Sequence, residues 1–151
     1  MLLVVISLFL IVGFSFQTLA QKEEKIPRAT QKSVPLMSEY ITKECSSTHQ
    51  KVDSLYAWII NNIDYDYDVL QSSKPLSFQG SANTLKRKTA ICNGYVELLV
   101  DLLAAQKIKA EYVEGYIRTF DPTYTYELYS ADHAWIAIEI DGKWHLADPT
   151  W

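Results

Sequence analysis

Two cysteines, Cys45 and Cys92, and three histidines, His49, His133 and His145, are the side chains of this sequence best suited to nucleophilic chemistry. A thiol that attacks a carbonyl needs a base beside it and a third group that orients the base. Cys92 has the better setting of the two thiols. It falls at the start of a helix predicted over 92–106, where unpaired N–H groups favour a thiolate. Lys86, Arg87 and Lys88 lie just upstream and add positive potential, and Thr89 is the predicted N-cap. Asn93 and Gly94 leave room for a cleft wall. A buried, inert cysteine can start a helix in the same way, so its partners must decide.

The spacing around Asp141-Gly142 supplies candidate partners. An Asp-Gly pair between alternating apolar runs predicts a two-residue hairpin turn joining strands over 133–140 and 143–147. Such a turn makes Ile140 face Lys143, Trp135 face Asp148 and His133 face Thr150. His133 and Asp148 then leave the same side of the sheet as diagonal neighbours, within reach of a hydrogen bond. An aspartate that holds a histidine in one tautomer is what a thiol-activating base requires. His145 falls on the opposite face, and His49 precedes a helix in a polar stretch, so both are expected to be ordinary surface or packing residues. Zinc held by Cys92, His133 and a carboxylate is the weaker alternative. Asp64, Asp66 and Asp68 lack the glycine and distal glutamate of a calcium loop. No metal or cofactor is expected.

These residues need elements to carry them. Val52, Leu55, Tyr56 and Ile59 follow helical spacing from Lys51 and stop at Asn61-Asn62. Tyr95, Leu98, Leu99, Leu102 and Ala105 form one face of the helix that Cys92 opens. Ala110–Thr119 alternates as a strand. Residues 71–83 read as a loop, and a second loop carries Tyr124, Tyr126 and Tyr129. Helices first and strands after predict an α+β fold. With 151 residues, 48% hydrophobic and 21% charged, the chain suits one globular domain, and a net charge of -4 argues against a nucleic-acid footprint.

Residues 1–20 contain no charged side chain and end in small residues at Thr18 and Ala20. They read as a signal peptide cut after Ala20, with an uncleaved anchor as the alternative. Residues 21–50 are expected to form a linker or N-terminal extension, and 51–151 the domain. The protein is therefore expected outside the cytoplasm, secreted or in a periplasm-like envelope compartment, without nucleic-acid partners and membrane-bound only if the segment is uncleaved.

In combination, Lys88-Thr89-Ala90-Ile91-Cys92-Asn93-Gly94-Tyr95, Glu114-Gly115-Tyr116, Asp132-His133-Ala134-Trp135 and Asp141-Gly142-Lys143-Trp144-His145-Leu146-Ala147-Asp148-Pro149-Thr150-Trp151 resemble the transglutaminase-like superfamily. The flavour is that of the kyphoscoliosis peptidase and cytokinesis-protein group, and the resemblance runs from Val52 to Trp151. It implies a papain-like core in which a helix bearing Cys92 packs on an antiparallel sheet bearing His133 and Asp148. Cys92 would be the nucleophile, His133 the base and Asp148 the orienting acid. The implied activity is a cysteine peptidase-like hydrolase or acyltransferase working on protein, peptide or cell-envelope polymer through a thioacyl intermediate. The alternative is a non-catalytic module that binds such a polymer, with the three tyrosines lining its cleft. Relatives commonly have glycine where Ala90 stands and continue past the position of Trp151, so the sheet edge beside Asp148 is expected to be truncated.

Overall fold

The computed structural model describes residues 26–71, 80–116 and 131–151. Their core is α5, Cys92–Ala105, an apolar helix in which Val96, Leu98, Leu99, Leu102 and Leu103 are wholly buried. A helix apolar on nearly every side must be covered on nearly every side. Helix α1 (Val34–Thr42), α2 (Thr48–Asn62) and α4 (Ser81–Arg87) pack on it, as do β3 (Ala110–Gly115) and β4 (His133–Ile140) of a sheet. Helix α2 contributes Leu55 and Ile59, on the spacing predicted for it.

The sheet runs β3-β4-β5, all antiparallel, with β5 at Lys143–Ala147. Asp141 and Gly142 both have positive φ, 52° and 75°, as a tight two-residue turn demands. The ladder pairs Ile140 with Lys143 and continues to Ile136 opposite Ala147, the register expected from the Asp-Gly turn. Ala134, Ile136, Ile138 and Ile140 alternate into the core. A separate parallel pair joins β1 (Asp64–Tyr65) to β2 (Thr89–Ala90), and a short helix α3 spans Tyr67–Gln71. The fold is thus α+β, with a cysteine-bearing helix against an antiparallel sheet.

Three local expectations differ from what is found. The stretch expected as linker or extension contains α1, which buries Val34 and Met37 and ties itself to α5 by a 2.7 Å hydrogen bond from Ser38 Oγ to the Leu102 carbonyl. Pro35 starts this helix, because proline in the first turn sacrifices no internal hydrogen bond. Thr89 does not cap α5: its backbone belongs to β2, and the N-cap is Ile91 in an extended conformation. The end of the expected 71–83 loop opens α4, which starts after Gly80 at φ 70°. Residues 1–20 and the Tyr124, Tyr126 and Tyr129 group lie outside the described residues. Among the described residues no helix is long and apolar enough to cross a membrane.

Candidate active site

The start of β4 and the start of α5 meet. The backbone N–H of Ala134, the residue after His133, lies near enough to the Cys92 sulfur to lower its pKa, as do the N–H groups of Asn93 and Cys92. His133 is 7% exposed, and its Nε2 lies 2.6 Å from Asp148 Oδ2. That contact occupies Nε2, and Nδ1 is the other nitrogen of the ring. Asp148 is held in turn: Oδ1 accepts the Thr150 N–H at 2.9 Å, and its carbonyl accepts the Tyr56 hydroxyl at 2.6 Å. The Tyr56 hydroxyl is pushed up in pKa by burial and by the Asp148 charge, so it remains a neutral donor.

Aromatic rings bracket the imidazole. The Trp135 ring centre lies 6.0 Å from that of His133 and the Trp151 ring centre 5.5 Å. Trp135 is seated over Gly115, where an added Cβ would come within 2.2 Å of its ring. No other residue type leaves that ring room, which gives Gly115 a reason to be glycine.

The electrostatics of the thiol differ from expectation. Burial pushes the Cys92 pKa up, and the Asp148 charge adds to this, against the lowering by the backbone N–H groups of Ala134, Asn93 and Cys92. Two of the three upstream basic residues are occupied elsewhere. Arg87 pairs with Asp66 at 2.6 Å, and the Lys88 ammonium lies over the Trp58 ring at 4.3 Å. The thiol itself donates to Asn93 Oδ1 at 3.2 Å. Burial thus favours the thiol over the thiolate at Cys92.

The structure thus pairs His133 with Asp148 and sets Ala134, the residue after His133, near the Cys92 sulfur, while Cys45, His49 and His145 lie elsewhere. Cys45 contacts Ser54 Oγ at 3.3 Å, beyond the start of α2, and both cysteines are free. His49 pairs with exposed Asp141 at 3.6 Å, and His145 is exposed on β5. Among the described residues no three metal-ligating side chains converge. Asp66 is used locally, capping α3 through the Val69 N–H at 3.1 Å. Tyr56, Gly115 and Trp151 also support the site, without a role that the sequence assigns them. Tyr56 looks like one more apolar-face residue of its helix, and no local signal marks its hydroxyl. Gly115 carried the clearer hint, as an isolated glycine in a strand.

Residues 36–149 match the family model described as the transglutaminase-like superfamily. The chain is 29% identical over 113 residues to kyphoscoliosis peptidase of Mus musculus and 28% identical to that of Homo sapiens. These alignments cover 74% of this chain, which spans only 17% of those relatives' length. Among solved structures, a candidate cysteine protease of Cytophaga hutchinsonii superposes with a TM-score of 0.61 at 22% identity, over 80% of this chain and 37% of that one. A candidate protease of Parabacteroides distasonis gives 0.58 at 18% identity, over 75% and 22% of the two chains. At such identities the structural likeness establishes the fold.

Proposed function

Because the chain belongs to the transglutaminase-like superfamily, we propose that it is a thiol enzyme acting on amide bonds through Cys92, His133 and Asp148. The observation that carries this reading is the 2.6 Å contact of His133 Nε2 with Asp148, on a strand whose next residue, Ala134, brings its N–H near the Cys92 sulfur. His133 Nδ1 takes the Cys92 proton as the sulfur attacks the substrate carbonyl. The C–N bond breaks, the leaving amine takes that proton, and a thioester remains on Cys92. Water or an amine then attacks the thioester, passes a proton to His133 and restores the thiol. Asp148 does not change protonation state in this sequence; it orients His133 and stabilises the imidazolium.

The substrate in this reading is a protein, a peptide or a cell-envelope polymer. The protein is exported, with a mature form beginning at Gln21, a reading supported by the uncharged first 20 residues. Mass spectrometry of the protein from its host tests this, and an intact Met1 on cytosolic protein would sink it. A second reading, a module that binds polymer without turnover, is favoured by the upward shift of the Cys92 thiol. Incubating the Cys45→Ser chain with p-nitrophenyl acetate separates the two. The expected result is a burst of nitrophenolate and an acetyl adduct on Cys92, both absent from Cys92→Ala. A folded chain with neither leaves the binding reading in place.

A further inference from the structure

A cavity of about 420 Å³ adjoins the candidate nucleophile, lined by Asn93, Glu97, Val100, Asp101, Tyr112 and Glu114. It neighbours the reacting atom through Asn93, one of its walls, whose Oδ1 accepts the Cys92 thiol at 3.2 Å. Tyr112 is a second wall, and its hydroxyl is raised in pKa mainly by burial, then by Glu114. The walls are amphipathic. Val100 and the Tyr112 ring supply apolar surface, and three carboxylates supply negative charge.

Those carboxylates are held by neutral donors. Glu97 accepts the Gly80 N–H at 2.8 Å, Glu114 accepts the Tyr112 hydroxyl at 3.2 Å, and Asp101 accepts the Ser81 hydroxyl. No lysine, arginine or histidine pairs with any of them among the described residues. Their mutual repulsion shows at Glu97, whose carboxyl is raised in pKa by burial and by Asp101 despite the Gly80 bond. The contrast is a second cavity of about 460 Å³ beside Lys51, Lys107 and Lys109, where Lys109 pairs with Glu139 at 3.2 Å and no candidate catalytic group is present.

Resting on the reading of Cys92 as nucleophile, we infer that the Asn93–Tyr112 cavity receives a lysine or arginine side chain of the substrate peptide, from the residue whose carbonyl Cys92 attacks. The apolar stem of such a side chain lies along Val100 and Tyr112, and its cationic head supplies the charge that Glu97, Asp101 and Glu114 lack. A glutamate or aspartate at that position meets three like charges and is rejected.

Alkylation of Cys92 in the Cys45→Ser chain reads this directly. The probes are Ala-Ala-lysine and Ala-Ala-norleucine chloromethyl ketones, each rate divided by its rate with free cysteine. The lysine reagent is expected to react about tenfold faster, a difference worth one decade of affinity. In Asp101→Asn/Glu114→Gln, which keeps both hydrogen-bond acceptors, the preference should fall towards unity while the norleucine rate holds. Equal rates in the unmodified pair of carboxylates, or a preference that survives the double substitution, would overturn the assignment. So would protection of Cys92 by free butylamine without any lysine preference, because the cavity would then take a small amine and not the substrate's side chain. The assay needs no turnover. A chain that forms no acetyl adduct yet prefers lysine has lost the catalytic reading and kept the subsite.

Discussion

His133 and Asp148 sit at the open end of a hairpin whose turn and ladder fix their separation, whereas Cys92 sits at a helix start that no side chain caps. The hairpin half is ordered by short-range rules. Two positive-φ residues set the turn, the turn sets the register, and the register aims an imidazole at a carboxylate. The helix half depends on what is packed around it. Burial and the Asp148 charge raise the thiol pKa, three backbone N–H groups lower it, and the balance lies upward. His133 and Asp148, the base and orienting acid of the proposed mechanism, are held against each other, while the pKa of the Cys92 thiol is pushed up. In such a site the reactivity of the thiol rests on the hairpin.

The sharpest way to break this comparison is Asp148→Asn. It keeps the size of the side chain and a contact for the Thr150 N–H but removes the charge facing His133. Acylation of Cys92 by p-nitrophenyl acetate should fall roughly 10²–10⁴-fold, the range lost when an orienting aspartate is neutralised. Iodoacetamide alkylation should fall far less, because the Asp148 charge itself raises the thiol pKa and its loss partly offsets the weakened base. His145→Ala should leave both rates unchanged. Equal losses in the two assays would mean that Asp148 acts on the fold and not on His133.

Gly115→Ala tests whether the hairpin half owes its precision to packing as well as register. The new Cβ would come within 2.2 Å of the Trp135 ring, Gly115 is the ladder partner of His133, and the Trp135 and His133 ring centres lie 6.0 Å apart. Overpacking of this kind costs about 1–3 kcal/mol. Urea unfolding should show that loss, with acylation slowed roughly tenfold by the displaced imidazole. Trp135→Leu in the same chain should restore most of the stability. If Gly115→Ala is silent in both measurements, Trp135 has freedom to move and does not hold His133.

The same contrast explains what was legible in the sequence. The hairpin register follows from Asp141-Gly142 and the side-chain period of two, so the His133–Asp148 neighbourhood could be read from residue numbers alone. The faces of α2 and α5 follow from the spacing of Leu55 and Ile59 and of Leu98, Leu99 and Leu102. The thiol environment could not be read in that way. Lys88 and Arg87 are near Cys92 along the chain, but Trp58 and Asp66, distant in sequence, take their charges. Helix α1 lies in a stretch without helical spacing on its N-terminal side, and the Ser33 cap that turns Pro35 into a helix starter is a single residue. Short-range pattern reached the backbone pairing; charge balance needed partners that only the fold brings together.

The pH dependence of alkylation sharpens the helix half. Burial raises the Cys92 pKa, so the iodoacetamide rate should have its midpoint above the ordinary thiol value of about 8.5. The sign for stability follows. A group whose folded pKa is raised binds its proton more tightly when folded, so its contribution is full below the unfolded pKa and is lost as pH rises through the folded one. Tyr95, which donates to the Ile63 carbonyl at 2.6 Å and is pushed up to about 12 by burial, has the same sign. Stability should therefore decline from about pH 8.5 upward. An alkylation midpoint below 7 would reveal a preformed thiolate–imidazolium pair and erase the difference between the two halves.

Tyr56→Phe probes the one direct hydrogen bond from α2 to the hairpin. The hydroxyl reaches the backbone carbonyl of Asp148 at 2.6 Å, just beyond the last ladder pair, where β5 no longer holds the chain. Removing it leaves a part-buried carbonyl without that donor, and a neutral hydrogen bond of this kind contributes about 1 kcal/mol. Denaturation should register that loss, with acylation slowed only a few-fold, because Oδ1 still accepts the Thr150 N–H and Oδ2 still faces His133. The ratio of acylation to alkylation should stay constant in this variant, in contrast to Asp148→Asn, since the carboxylate keeps its charge. A ratio that drops as it does in Asp148→Asn would mean that the backbone anchor from α2, and not the register of the hairpin, sets the distance between His133 and Asp148.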